Sequence, residues 1–120
     1  MDVLGKPLQD CTVTAEHKLW WPHCEALYAC TLALEVSGDF FWLAWLEKVH
    51  RYIYEKLADA AHGGEWLGYL RRDGSVYNEC KGGNYKGFFH VPRCLLLSMR
   101  SAERYLARRE GGAEGCAKGE

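Results

Sequence analysis

Long apolar runs are what this sequence most plainly lacks: charged residues interrupt every one before it reaches the roughly 20 residues needed to cross a bilayer. The opening stretch, Met1 to Pro7, has no apolar core of the signal-peptide kind. These two absences predict a cytoplasmic protein without a membrane partner. An excess of charge of one sign is also absent. Fifteen Lys and Arg stand against sixteen Asp and Glu, a net charge of −1, so nothing draws the chain toward nucleic acid. Among six cysteines (Cys11, Cys24, Cys30, Cys80, Cys94, Cys116) there is no Cys-x-x-Cys pair, and Cys24 and Cys30 are spaced for different faces of a helix. No metal site is expected, and without an export signal the thiols are expected to be free. No internal repeat is evident.

What is present fits one globular domain with a modest core: 120 residues, 48% of them hydrophobic. Residues 1–110 are expected to form that unit. Residues 111–120, rich in glycine and with nothing to bury, are expected to be a disordered tail. Pro22 to Val36 reads as a helix, with Pro22 in its first turn and Ser37-Gly38 at its end. It is apolar on nearly all sides, which calls for neighbours on nearly all sides and predicts a large exposed apolar patch where this short chain cannot supply them.

A second helix is predicted over Asp39 to Ala58, capped by Asp39. Trp42, Trp45, Leu46, Val49, Ile53 and Leu57 form its buried stripe, and Glu47, Arg51 and Glu55 its wet side. Residues 65–70 and 75–78 read as a hairpin about Asp73-Gly74. A last helix is predicted from Pro92 to Arg109, with Leu95, Leu96, Met99, Ala102 and Leu106 inward and Arg100, Glu103, Arg104 and Arg108 outward.

Two polar stretches stand out. In Lys81 to Arg93, the glycines Gly82, Gly83 and Gly87 allow tight turns, and Pro92 suits a helix start. That leaves His90 just before a helix, between the cations Lys86 and Arg93 and beside Phe88 and Phe89. It is either a helix-capping loop residue or a titrating group of a site. In Lys18 to Glu25, Trp20 and Trp21 precede His23 and Glu25. The two indoles are either core plugs or stacking faces for sugar rings, with the carboxylate and imidazole able to bind hydroxyls or move protons.

Together these stretches, Lys18 to Ala26, Gly64 to Leu70 with Asp73-Gly74, Lys81 to Gly83 and Lys86 to Leu95, resemble the C-terminal part of the N-acylglucosamine 2-epimerase (renin-binding protein) family over nearly the whole chain. The resemblance implies a mainly α fold, the C-terminal part of an (α/α)6 barrel. Twelve helices of about 12 residues with loops of about 5 need roughly 200 residues, so three helices and a hairpin are expected to form an incomplete barrel.

The resemblance further implies interconversion of N-acetylglucosamine and N-acetylmannosamine by removal and return of the proton at carbon 2. By it, His90 and Glu25 are the catalytic residues, and the second base lies in a segment this chain lacks. Trp20, Trp21, His23, Arg93 and Lys86 are the substrate-binding candidates, Arg93 also ordering the loop and its carboxylates. No cofactor is required chemically, with ATP as a candidate activating nucleotide. The candidate partners are the amino sugar, the missing N-terminal part of the barrel, a second copy of the chain and renin. Two rival readings are a non-catalytic sugar- or protein-binding remnant and another aldose epimerase or isomerase of the same fold. The isolated chain is expected to be inactive.

Overall fold

A computed structural model describes residues 16–116. In chain order the elements are β1 (Lys18–Leu19), α1 (Trp20–Ser37), α2 (Phe40–Tyr52), a π-helical turn (Ile53–Leu57), a 3-10 turn (Ala60–His62), β2 (Tyr69–Leu70), β3 (Val76–Asn78) and α3 (His90–Cys116). The expectations for Cys11 and for residues 117–120 lie outside the described residues.

The helix ends follow local chemistry. Pro22 sits in the first turn of α1, where a missing N–H costs nothing. Gly38 closes the helix with φ of 68°, its N–H donating to the Leu34 carbonyl at 2.8 Å. The Asp39 side chain then caps α2 by accepting from the Phe41 N–H at 2.8 Å. Instead of running straight to Ala58, α2 widens into the π turn, with the Ala58 N–H reaching the Ile53 carbonyl at 2.9 Å. That turn sends both Ile53 and Leu57 into the core.

The hairpin turns at Gly74, with φ of 87°, as its Asp-Gly pair predicts. Asp73 accepts from the Ser75 N–H at 2.8 Å, and β2 and β3 pair antiparallel with Leu70 opposite Val76. The sequence gives no sign of the third strand. β1 adds to the sheet in the order β1-β2-β3, Lys18 opposite Leu70, and so delivers the start of α1 beside the hairpin. Two residues are too few to show an alternating pattern.

Trp20, Cys24, Leu27, Ile53, Leu57, Trp66, Leu70, Val91 and Cys94 form the core. Each large apolar side chain there contributes about 1.5–3 kcal/mol. Both α2 and α3 pack on α1. The apolar first helix is therefore the best-covered one, and the patch expected on it is found elsewhere. Phe40, Phe41 and Trp45 are exposed on α2, and Leu95, Leu96, Met99 and Leu106 on α3. Trp45 thus leaves the stripe assigned to it, while Leu46 and Val49 pack half-buried against the core.

The buried face of α3 is shifted relative to expectation, although Arg100 and Glu103 are exposed as expected. Val91, Cys94 and Ser101 are buried, and Arg104 and Arg108, still half-exposed, reach across to α1 with their guanidinium groups. The cause is Glu35, a buried carboxylate on α1 that needs partners. Ser101 Oγ donates to it at 2.6 Å, Arg104 Nε and Nη2 at 2.8 Å each, and Arg108 Nη2 at 2.6 Å. The Arg104 bonds, followed by that of Ser101, hold its pKa down at about 2. α3 also runs through 111–116, where the sequence predicts a disordered tail. A nucleated helix extends by one hydrogen bond per residue, even across glycines about 1 kcal/mol poorer than alanine.

Candidate functional site

Because α1 and α3 pack together with their first turns at one end, two residues near helix starts meet. Glu25 lies in the second turn of α1, and His90 opens α3. His90 Nδ1 is 3.1 Å from Glu25 Oε1. One turn further along α3, Arg93 Nη1 donates to both oxygens of the same carboxylate, at 3.0 and 3.1 Å. The three side chains are 32%, 39% and 36% exposed for His90, Glu25 and Arg93, on an open face.

The His90 hydrogen bond, assisted by that of Arg93, holds Glu25 below the ordinary carboxylate range against the opposing effect of partial burial. An ionised Glu25 accepts, so the His90 Nδ1 proton is the one donated, and Nε2 is left as the atom that can take or return a proton. Arg93 is itself fixed by aromatic faces, its guanidinium carbon 5.6 Å from the centre of Tyr28 and 5.9 Å from that of Phe89. The arrangement is one imidazole held in a single tautomer by a carboxylate that is held in turn by an arginine.

Aromatic rings border it. The Trp21 ring lies 6.1 Å from that of His90, and Phe89 meets His90 edge-on at 5.0 Å. Trp21 and Phe89 are exposed, and Phe88 is 89% exposed. Trp21, Glu25, His90 and Arg93 are thus brought together from two stretches more than sixty residues apart.

Three other candidates are placed elsewhere. Trp20 is only 3% exposed; it is a core plug with its ring edge-on to Tyr69 at 5.5 Å. Successive helical residues point about 100° apart, so one tryptophan of the pair turns inward and one outward. His23 is taken up by the helix start: its Nδ1 donates to the Leu19 carbonyl at 2.6 Å, and its ring stacks on Tyr52 at 5.3 Å. Lys86, read as a cation flanking His90, is buried away from it. Its side chain is 5% exposed and pairs with Glu65 at 2.7 Å, because a buried ammonium needs a counter-charge.

Tyr28 and Glu65 escape the sequence reading. Tyr28 could have been found as the residue one turn beyond Glu25 on the same helix face. Nothing local marks Glu65. Among the described residues no group of three or more His, Cys, Asp or Glu is placed to hold a metal, and no helix is long and apolar enough to cross a membrane. Cys24, Cys30, Cys80 and Cys94 carry free thiols.

Comparison with known proteins extends this geometry. Residues 1–94 match the family model of N-acylglucosamine 2-epimerase (GlcNAc 2-epimerase). The N-acylglucosamine 2-epimerase of Bos taurus is 43% identical over 91 residues, 76% of this chain and 21% of the relative. That of Rattus norvegicus is 45% identical over 80 residues, 67% of this chain and 19% of the relative. The chain thus spans about a fifth of the length of these relatives. Among solved structures, cellobiose 2-epimerase from Spirochaeta thermophila superposes with a TM-score of 0.66 at 30% identity, covering 75% of this chain and 23% of that one. A sugar epimerase from a ruminal bacterium gives 0.60 at 28% identity, covering 70% and 22%.

Proposed function

Since the chain belongs to the N-acylglucosamine 2-epimerase family and its mainly helical fold matches part of the (α/α)6 barrel of solved epimerases, we propose that it carries one half of a sugar 2-epimerase site. The substrate pair is N-acetylglucosamine and N-acetylmannosamine. The observation that carries the reading is the 3.1 Å contact of His90 with a Glu25 whose two oxygens Arg93 also binds.

In the open-chain sugar the aldehyde at carbon 1 acidifies the hydrogen on carbon 2. His90 Nε2 takes that proton, the electron pair moves into the carbon 1 to carbon 2 bond, and charge develops on the carbonyl oxygen. Return of a proton to the opposite face completes the inversion. The Glu25 carboxylate stabilises the imidazolium formed when His90 accepts the proton, as a positioned base requires. Trp21 and Phe89 supply apolar faces for the sugar carbons.

The opposite-face proton needs a second group. Among the described residues His23 is engaged at the helix start, so the second acid or base is assigned to the remainder of a barrel about five times the matched length. A sugar-binding module without turnover is the second reading, favoured by the openness of the site.

The test is exchange of the carbon 2 proton in deuterated water, followed by NMR with either sugar. This chain is combined with the complementary N-terminal portion of a full-length relative. Exchange that requires both portions and is lost in His90→Ala supports the epimerase. Sugar-induced shifts without exchange in the combined protein support the binding module.

A further inference from the structure

The two lysines of the glycine loop both take their side-chain partners from the segment 59–65 and not from His90 or Glu25. Lys81 Nζ bonds Asp59 Oδ2 and the His62 carbonyl, each at 2.8 Å. Lys86 Nζ bonds Glu65 Oε1 and the Lys81 carbonyl, each at 2.7 Å. The loop 81–86 is therefore clasped at both ends onto the segment 59–65.

That segment is itself fixed. The Asp59 N–H donates to the Glu65 carbonyl at 3.2 Å, and the Leu67 N–H donates to the Leu57 carbonyl at 2.8 Å. The fully buried Leu57 and the nearly buried Trp66 anchor it in the core. The clasp thus transmits the position of the core to the loop.

We infer that Lys86 is a positioning residue for His90, its buried pairing with Glu65 setting where α3 begins. Only three residues separate the two. From Lys86 the chain turns at once, the Phe89 N–H donating to the Gly87 carbonyl at 3.0 Å, and the Phe89 carbonyl accepts the first helical bond of α3, from the Arg93 N–H at 3.1 Å. Little slack remains between the clasp and the imidazole.

Space is reserved for the lysine stem. It passes over Gly68, where a Cβ would come within 3.2 Å of Lys86 Cδ and 3.7 Å of the Trp20 ring. An open surface groove of about 280 Å³ lies between Gly63, Glu65 and Trp66 on one side and Phe88, Val91 and Pro92 on the other. Across this groove the Lys86–Glu65 ion pair is the tie between the loop end and the segment 63–66.

The catalytic meaning of this inference rests on the reading of His90 given above; the clasp does not. The experiment uses the full 120-residue chain labelled with ¹⁵N, and compares Lys86→Met, Lys86→Arg and Glu65→Gln. Amide exchange is followed in residues 82–90 and in α1, together with the imidazole nitrogen signals of His90.

Lys86→Met is expected to speed exchange in the loop about ten-fold or more while α1 stays within about two-fold. It also moves the His90 signals toward those of Glu25→Gln, in which the carboxylate is lost. Lys86→Arg restores both readouts in part, and Glu65→Gln reproduces the loss where Lys86→Met fails to fold. Unchanged His90 signals in Lys86→Met and Glu65→Gln overturn the inference, as does faster exchange spread equally over loop and α1. Failure of carbon 2 exchange in the combined protein, with these signals behaving as expected, counts against the epimerase reading alone.

Discussion

Glu25 and His90, 65 residues apart in sequence, meet at 3.1 Å because the helices that carry them begin at the same end of the molecule. Arg93 closes the group by binding both oxygens of Glu25. An imidazole held in one tautomer presents its other nitrogen as a defined proton acceptor.

In the combined protein, His90→Ala is expected to lower the rate of carbon 2 proton exchange about 10²-fold or more, with a smaller change in KM. Glu25→Gln lowers it as well, since the amide neither fixes the Nδ1 proton nor balances the imidazolium. Undiminished exchange from both sugars in His90→Ala removes His90 from the mechanism.

The two adjacent tryptophans are expected to separate stability from binding. Trp20→Ala empties a core position and costs about 3–5 kcal/mol of unfolding free energy. Trp21→Ala, at a side chain 43% exposed, leaves stability within about 1 kcal/mol and weakens sugar binding. Denaturant titration and sugar titration by NMR measure the two effects, and equal destabilisation by both variants contradicts the assignment.

Glu35 links stability to pH. Its folded pKa of about 2 lies below the ordinary 4.5, so its contribution is fully present above 4.5 and is lost as pH falls toward about 2. Glu35→Gln is expected to be less stable at neutral pH and to show a shallower loss of stability over that acid range. A denaturant midpoint followed against pH decides it, with an unchanged acid slope as the contrary result.

The exposed apolar side chains of α2 and α3 predict self-association of the isolated chain and binding of a hydrophobic dye. Between these helices, Leu27, Leu46, Tyr54, Leu95, Met99 and Ala102 line a largely apolar groove of about 270 Å³. Met99→Lys and Trp45→Glu are expected to reduce both effects in light scattering and fluorescence. A monodisperse wild-type chain at high concentration that binds no dye contradicts this.

The isolated chain is also expected to be without epimerase activity. Correct positioning supplies of order 7–11 kcal/mol in favourable cases, and an open face with one free imidazole nitrogen provides little of it. Turnover by the purified chain alone shows a second base within it and contradicts the assignment of that base to the rest of the barrel.

The amino-acid sequence by itself determined the features that depend on near neighbours. The Asp39 cap, the Gly38 stop, the Asp73-Gly74 turn and the helix start near Pro92 are each encoded within a few residues of where they act. The motifs around Glu25 and His90 marked the site through their resemblance to a family, although nothing within either stretch tells that the two meet. Tertiary structure alone decided which faces turned inward. Leu95, Met99 and Leu106 form the better apolar stripe of α3, yet Glu35 on α1 is met by buried Ser101 and by the half-exposed Arg104 and Arg108, since a buried carboxylate without partners costs more than a few exposed side chains. Likewise only packing separated buried Trp20 from exposed Trp21, and only the place of Glu65 decided that Lys86 faces the core instead of the site. Side-chain burial depends on partners distant in sequence, and no local pattern contains them.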